Sequence, residues 1–294
     1  MKSIRPQDIS TAQFHAYMLG AIAPRPIAFA STIDKNGNVN LSPFSFFNAF
    51  GSNPPILIFS PARRVRDNTE KHTLENVREV AEVTINIVNY SIVEQMSLAS
   101  TEYDKGVDEF VKSGLTASPS TLVKPPFVAE SPVAFECKVN QVIETGKEGG
   151  AGNLIVCEII MAHIKEEILD EQGKIDTKKI DLVGRMGGDW YVRANHEALF
   201  EIEKPNIKKG IGVDNIPQKI RLSHILSGNN LGKLGNIEVL PSLASVEKFA
   251  NENNFQHLKL ETQELESYLH QFAKKLLENN QTENAWKTLL YSLK

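Results

Sequence analysis

Up to about residue 204 the apolar positions fall in short runs fenced by breakers, as in strands; beyond that they recur at three- and four-residue intervals, as in helices. The run from Pro26 to Ile33 is apolar and partly β-branched. It is followed by Asp34-Lys35-Asn36-Gly37-Asn38, whose Asn-Gly pair suits the positive φ of a tight turn, so a β-hairpin is predicted. The return strand Val39-Asn40-Leu41 should give way to a loop at Pro43, which has no N–H to donate to a ladder. Ile56-Leu57-Ile58-Phe59-Ser60 reads as a buried strand between prolines. In the polar, basic stretch from Arg63 to Thr73, residues Asp67, Asn68 and Thr69 are natural caps for a helix with Leu74, Val77 and Val80 on one face.

Residues 83–88 return to strand character, and Val93, Met96 and Leu98 suggest a short helix. Two long strands, residues 133–145 and 153–165, flank the glycine-rich stretch 146–152 and should pair as a hairpin with a mobile tip. Five or six mostly antiparallel strands with a few helices suit a closed barrel or a sandwich, and do not alternate as a doubly wound sheet would. Residues 210–217 look like a linker or extended arm, and Gly228-Asn229-Asn230-Leu231-Gly232 like a further turn-rich break. Three helices follow, with Leu243, Val246, Phe249 and Ala250 on one face of the first, Leu265, Leu269, Phe272 and Leu276 on the second, and Trp286, Leu289, Leu290 and Leu293 on the third. The predicted organisation is residues 10–204 as a mainly β domain with helices, and 205–294 as a linker with a helical C-terminal extension.

Composition narrows the function. A net charge of -4 argues against a broad nucleic-acid surface, which needs clustered Lys and Arg. The N-terminus lacks the apolar core of a secretory signal, and no stretch approaches the roughly 18 to 20 apolar residues that span a bilayer, so a cytoplasmic protein with no membrane partner is expected. Cys137 and Cys157 lie within apolar runs and read as small buried hydrophobes. No CxxC or His-rich cluster suggests a metal, and the 7 histidines are dispersed with no evident acid–base pair, so no catalytic side chain is assigned.

The stretch from Pro24 to Asp34, then Gly37, then Asn40-Leu41-Ser42-Pro43-Phe44-Ser45-Phe46-Phe47, resembles the opening of the flavin reductase-like, FMN-binding split-barrel proteins, a family that includes flavoredoxin-like flavoproteins. The likeness continues through Pro54-Pro55, Ser60, the segment from Lys71 to Val77, Asn86 and the segment from Gly184 to Tyr191, so it covers about residues 10–204. It implies a split β-barrel, bound FMN, a homodimer with the flavin near the subunit interface, and NAD(P)H as possible co-substrate. Where the family often has Lys-Asp-Thr, this chain has Lys71-His72-Thr73, and His72 adds a titratable donor.

FMN presents a phosphate, a ribityl chain and a flat ring, and each asks for different partners. The phosphate suits Arg25, Lys71, His72 and Thr73 at a helix N-terminus. The ring edge suits backbone amides of residues 42–47, with Ser42, Pro43, Phe44, Ser45 and Phe46 around it and hydroxyls from Ser31, Thr32 and Ser45, and the resemblance adds Ser60 as a cofactor-binding candidate. Asn86 would hold the ribityl or ring edge, while Arg185 and Trp190 would close over the flavin or receive nicotinamide phosphates. Each also has a plainer reading: a solvated basic loop, a packed aromatic core, a strand-end turn former, a glycine turn. Two functions stay open, an NAD(P)H-dependent flavin reductase and a flavoredoxin-like electron carrier without significant nicotinamide turnover; a barrel that has lost its flavin is a third.

Overall fold

The computed structural model describes residues 1–205 and 209–294, and its backbone contacts divide the chain into two compact units, Met1–Phe200 and Glu201–Lys294. In the first unit seven antiparallel strands form one sheet: β1 Ala28–Ile33, β2 Val39–Phe44, β3 Phe47–Ser52, β4 Pro55–Phe59, β5 Glu82–Ile87, then, after two short strands β6 Ala117–Ser118 and β7 Phe127–Val128 that pair only with each other, β8 Val133–Glu144 and β9 Asn153–Ile164. Their order is β2-β1-β5-β8-β9-β4-β3. The first and last strands of the sheet are therefore neighbours in sequence, joined only by Ser45 and Phe46, yet are not hydrogen-bonded to each other. The sheet is a barrel left open at one seam.

The hairpin turn forms as its residues dictate. Ile33 pairs with Val39, the Asp34 carboxylate accepts from Asn36 and Asn38 N–H, and Gly37 takes φ +86°. Pro43 departs from expectation: β2 runs through it, opposite Phe29, and ends only at Phe44. Because β2 is an edge strand, the missing N–H faces away from the ladder and nothing is lost. The tip of the long hairpin is also not loose. Ala151 O accepts from Arg63 N, Gly150 N donates to Arg63 O, and Asn68 Nδ2 donates to Lys147 O. Gly149 is required there, since a Cβ would lie 3.1 Å from the carbonyl oxygens of both Arg64 and Val65.

Alternation along β1 and β2 sends Ala28, Ala30 and Phe44 into a core with Phe59, Ile85, Cys137 and Ile155, and Phe29 and Leu41 into a second core with Met96 and Phe110. Helix α2, His72–Glu79, covers the first by burying Leu74 and Val77, each worth about 2 kcal/mol of transfer free energy. The second lies beneath α3 Val93–Leu98 and α4 Glu109–Ser113. An N-terminal helix, α1 Thr11–Ala21, has no buried residue, and a small hairpin of β10 Val183–Arg185 and β11 Tyr191–Arg193 ends the unit.

In the second unit, residues 206–208 of the expected linker lie outside the described residues, and the rest of it is not free: Ile211 N donates to Ile237 O and Gly212 N to Gly235 O. The expected turn-rich break is helix α6, Gly228–Gly235, because Ser227 and Asn230 form a capping box that outweighs its three glycines. It follows the short α5, Gln218–Arg221. The helices α7 Leu243–Glu252, α8 Thr262–Glu278 and α9 Thr282–Tyr291 match the predicted stripes: α8 and α9 enclose Leu277, Trp286 and Leu289 with Ile220 and Leu234, and α7 packs Ala250 against Phe255 and Leu269, although Leu243 is itself exposed.

Candidate functional site

Helix α2 begins at Lys71 with no side-chain cap. Asp67, Asn68 and Thr69 were expected to supply one, but they are used earlier: Asp67 accepts from Thr69, and Asn68 takes φ +57° and accepts from Arg63 Nε at 2.6 Å. The loop spends its caps on its own turn, so the N–H groups of His72 and Thr73 have no partner among the described residues. They carry the positive end of the helix dipole.

Polar residues from three elements converge on that end. Asn40 of β2 donates to Thr73 Oγ1 at 2.9 Å, and Asn76 donates to Thr32 Oγ1 at 3.1 Å, which fixes the first turns of α2 against the hairpin. One pleat further along the same face of β2, the Ser42 hydroxyl makes no hydrogen bond to the described chain and lines a crevice of about 20 Å³ with Lys71, His72, Thr73, Ser100 and Thr101. The crevice shares Arg64, His72, Glu102 and Tyr103 with an open hollow of about 550 Å³.

The cations there are under strain of charge. Burial, and then the Arg64 guanidinium, holds the Lys71 ammonium below the usual lysine range. Glu102 is the carboxylate that Arg64 Nε (2.8 Å), Arg66 Nη2 (3.2 Å) and Lys71 Nζ (3.8 Å) share, and hydrogen bonds from Arg64 and then Arg66 pull its carboxyl below the ordinary value. Glu109, in the crevice wall, accepts from Leu41 N at 2.9 Å; its burial pushes its carboxyl upward. Arg64 and Lys71 at the crevice, with Arg66 behind them shared between Glu102 and Asp67 (3.0 Å), stand beside unfilled helix N–H groups and make an anion site suited to a phosphate monoester.

Arg25 is elsewhere. It is buried, and its guanidinium donates to the carbonyls of Leu19 (2.8 Å), Ile22 (2.6 Å) and Met186 (2.9 Å) and to Ser45 Oγ (3.3 Å). Its backbone pairs with Arg185, whose guanidinium lies over the Tyr191 ring at 4.6 Å. Arg25 thus ties α1, the seam and the β10–β11 hairpin together, with four of its five N–H donors engaged by the chain. Ser42 and Ser45 are roughly 10 Å apart along extended chain, and the surface from one cationic corner to the other is the candidate binding groove.

The other predicted residues divide similarly. Phe46 is exposed at the seam, edge-on to the His15 ring, and Trp190 is 77 % exposed. Phe44 turns into the core against Phe59, 5.5 Å between ring centres. Pro43 shares the outward pleat with Phe29. Asn86 is buried and spent, donating to Phe29 O and accepting from Val128 N, so it pins β7 and does not face the groove. Ser60 accepts from Asn153 N and links β4 to β9. Ser31 lies on the second-core face, buried, its hydroxyl without a partner. Sequence reasoning did not single out Arg64, Ser100, Thr101, Glu102 or Glu109. Arg64 at least belongs to the basic run, whereas nothing local marks the others.

A seven-stranded barrel with an open seam, and a candidate anion corner beside it, define a split barrel. The chain belongs to the flavin reductase like domain family, whose match covers residues 19–179. It is 32% identical over 208 residues to an uncharacterized protein of Halalkalibacterium halodurans, covering 70% of this chain and 98% of that one, and 37% identical over 185 residues to one of Aquifex aeolicus, covering 63% and 92%. Among solved structures it is similar to nitrilotriacetate monooxygenase component B from Bacillus cereus (26% identity, TM-score 0.64, 69% of this chain and 98% of that one). It is also similar to flavoredoxin of Desulfovibrio vulgaris (25% identity, TM-score 0.52, 61% and 90%). The expected fold is met: a split barrel of the flavin reductase type with a helical C-terminal region. No helix among the described residues is long and apolar enough to cross a membrane.

Proposed function

We propose that the chain binds FMN along the groove between the two corners and acts as an NAD(P)H-dependent flavin reductase. The observation that carries this reading is the uncapped N-terminus of α2, with Lys71, Arg64, Thr73 and the unpartnered Ser42 hydroxyl around it. The residues fit the cofactor: the phosphate would take the His72 and Thr73 N–H groups, the Thr73 and Ser42 hydroxyls and the Lys71 ammonium. The ring would lie toward the seam, where Ser45 and Phe46 make the link and Arg25 and Arg185 raise the local potential. Bound FMN would supply a two-electron acceptor for hydride from a nicotinamide.

The protein's own part is then positioning and water exclusion, with no acid–base pair needed. Phe46 and Trp190 are exposed, and in this reading they would cover the flavin ring and the nicotinamide. The match to a flavin reductase like family and the likeness to a monooxygenase component B support the reductase reading. A homodimer is part of it: α1 is mostly apolar with no buried residue, β3 is exposed along nearly its whole length, and Tyr17, Ile22 and Phe50 are bare, a surface a second copy would cover. Sedimentation equilibrium at micromolar concentration should return twice the chain mass.

The decisive test is to add FMN, desalt, record the visible spectrum, then add NADH or NADPH without oxygen. Retained flavin bands that bleach within seconds support the reductase. Retained bands that do not bleach favour a carrier reduced by another protein, and loss of all flavin on desalting overturns the tight FMN site.

A further inference from the structure

The hollow outside the crevice is the more acidic of the two. Inside, Arg64 and Lys71 stand beside the free helix N–H groups, and Glu109 is the buried carboxyl that desolvation keeps toward its neutral form. Outside, the hollow is lined by four carboxylates, Glu70, Glu75, Glu102 and Asp104, against the three permanent cations Arg64, Arg66 and Lys105. Glu70 is already held by Arg63 and Arg78, and Glu75 by Lys105. Glu102 stands on the boundary, with 44% of its side chain exposed, and is common to both cavities.

We propose that Glu102 selects a flavin mononucleotide over a dinucleotide, by admitting one terminal phosphate and repelling a second phosphate that must leave the crevice past its carboxylate. This rests on the reading of the crevice as a flavin phosphate site. A monophosphate ends at α2 and gains the cations without entering the hollow. In FAD the same phosphate is the inner half of a diphosphate, so the outer half and its adenylate must run along Glu102 toward Asp104, like charge against like charge where solvent screens only in part. The three cations that hold Glu102 keep it ionised and aimed at that exit.

The experiment is calorimetric titration of FMN and of FAD into the full chain, the Glu102→Gln variant and the Glu102→Asp variant at one ionic strength, with circular dichroism to confirm folding. The wild type should favour FMN over FAD, Glu102→Gln should reduce that ratio about tenfold, and Glu102→Asp, which keeps the charge, should retain most of it. An unchanged ratio in Glu102→Gln, or a wild type that binds FAD as tightly as FMN, overturns the proposal while leaving the FMN site standing. Failure of the wild type to bind FMN at all removes the site reading and the proposal with it.

Discussion

Arg25 and Lys71 are cations at the two ends of the candidate groove, and the chain treats them in opposite ways. The Arg25 guanidinium is enclosed by three backbone carbonyls and a serine hydroxyl, whereas the Lys71 ammonium has only a shared carboxylate at 3.8 Å and sits where helix N–H groups also lack partners. The difference teaches that positive charge alone does not mark an anion site. What marks it is positive charge whose donors the protein has left unspent. Glu136 shows the same distinction in the opposite sign: it is fully buried, yet Thr121, Leu122 and Val123 N–H and His163 Nε2 all reach its carboxylate, so it anchors a loop and offers nothing to a ligand.

Four measurements would break or sharpen that contrast. The largest effect belongs to Arg25→Ala, which strands three carbonyls and should lower stability by about 3 kcal/mol; urea denaturation of the apoprotein checks it, and a loss below about 1 kcal/mol would mean those carbonyls find water instead. Lys71→Ala should do the reverse, weakening FMN about tenfold, roughly 1.4 kcal/mol, while the urea midpoint stays put. A variant that binds FMN normally would remove Lys71 from the phosphate site.

Next is Glu136. Burial raises its carboxyl, but the N–H groups of Thr121 and Leu122 and the hydrogen bond from His163 outweigh it, and the folded value lies below the ordinary one. Its contribution is therefore present above the unfolded carboxylate value, roughly 4.3, and is lost as pH falls through the lower folded value. Glu136→Gln should flatten the acid limb of the stability curve by about 1 kcal/mol; equal acid limbs in the two proteins would contradict the assignment. The smallest effect is Ser42→Ala, expected to weaken FMN about threefold and to leave stability unchanged, as fits a hydroxyl with no partner in the chain.

Much of the fold was legible because it is local. The Asn-Gly hairpin, the long β8–β9 pair and the three apolar stripes of the C-terminal helices each follow from turn chemistry or periodicity within a few residues. Helix α6 was misread for a local reason too, since its glycines outweighed a capping box that needed Ser227 and Asn230 to be read together. Strand β3 and helix α1 carry no strong pattern because they bury almost nothing. At the site, Lys71, His72, Thr73 and Ser42 were legible through the resemblance, while Arg25 and Asn86 were named alongside them and are held by hydrogen bonds within the first unit.

By itself the sequence determined which segments become strands and helices, where the basic loop lies and which family the barrel belongs to, because periodicity, turn residues and short motifs act over a few positions. Only the tertiary structure decided which polar groups are spent. Closing β1 against β2 and β5, and seating α2 on them, brings Asn40 to Thr73 and Glu102 to Arg64 across 33 and 38 positions of chain. Hydrogen bonds and charge act through space over a few ångströms, so the availability of a donor is a property of the fold and not of the residue.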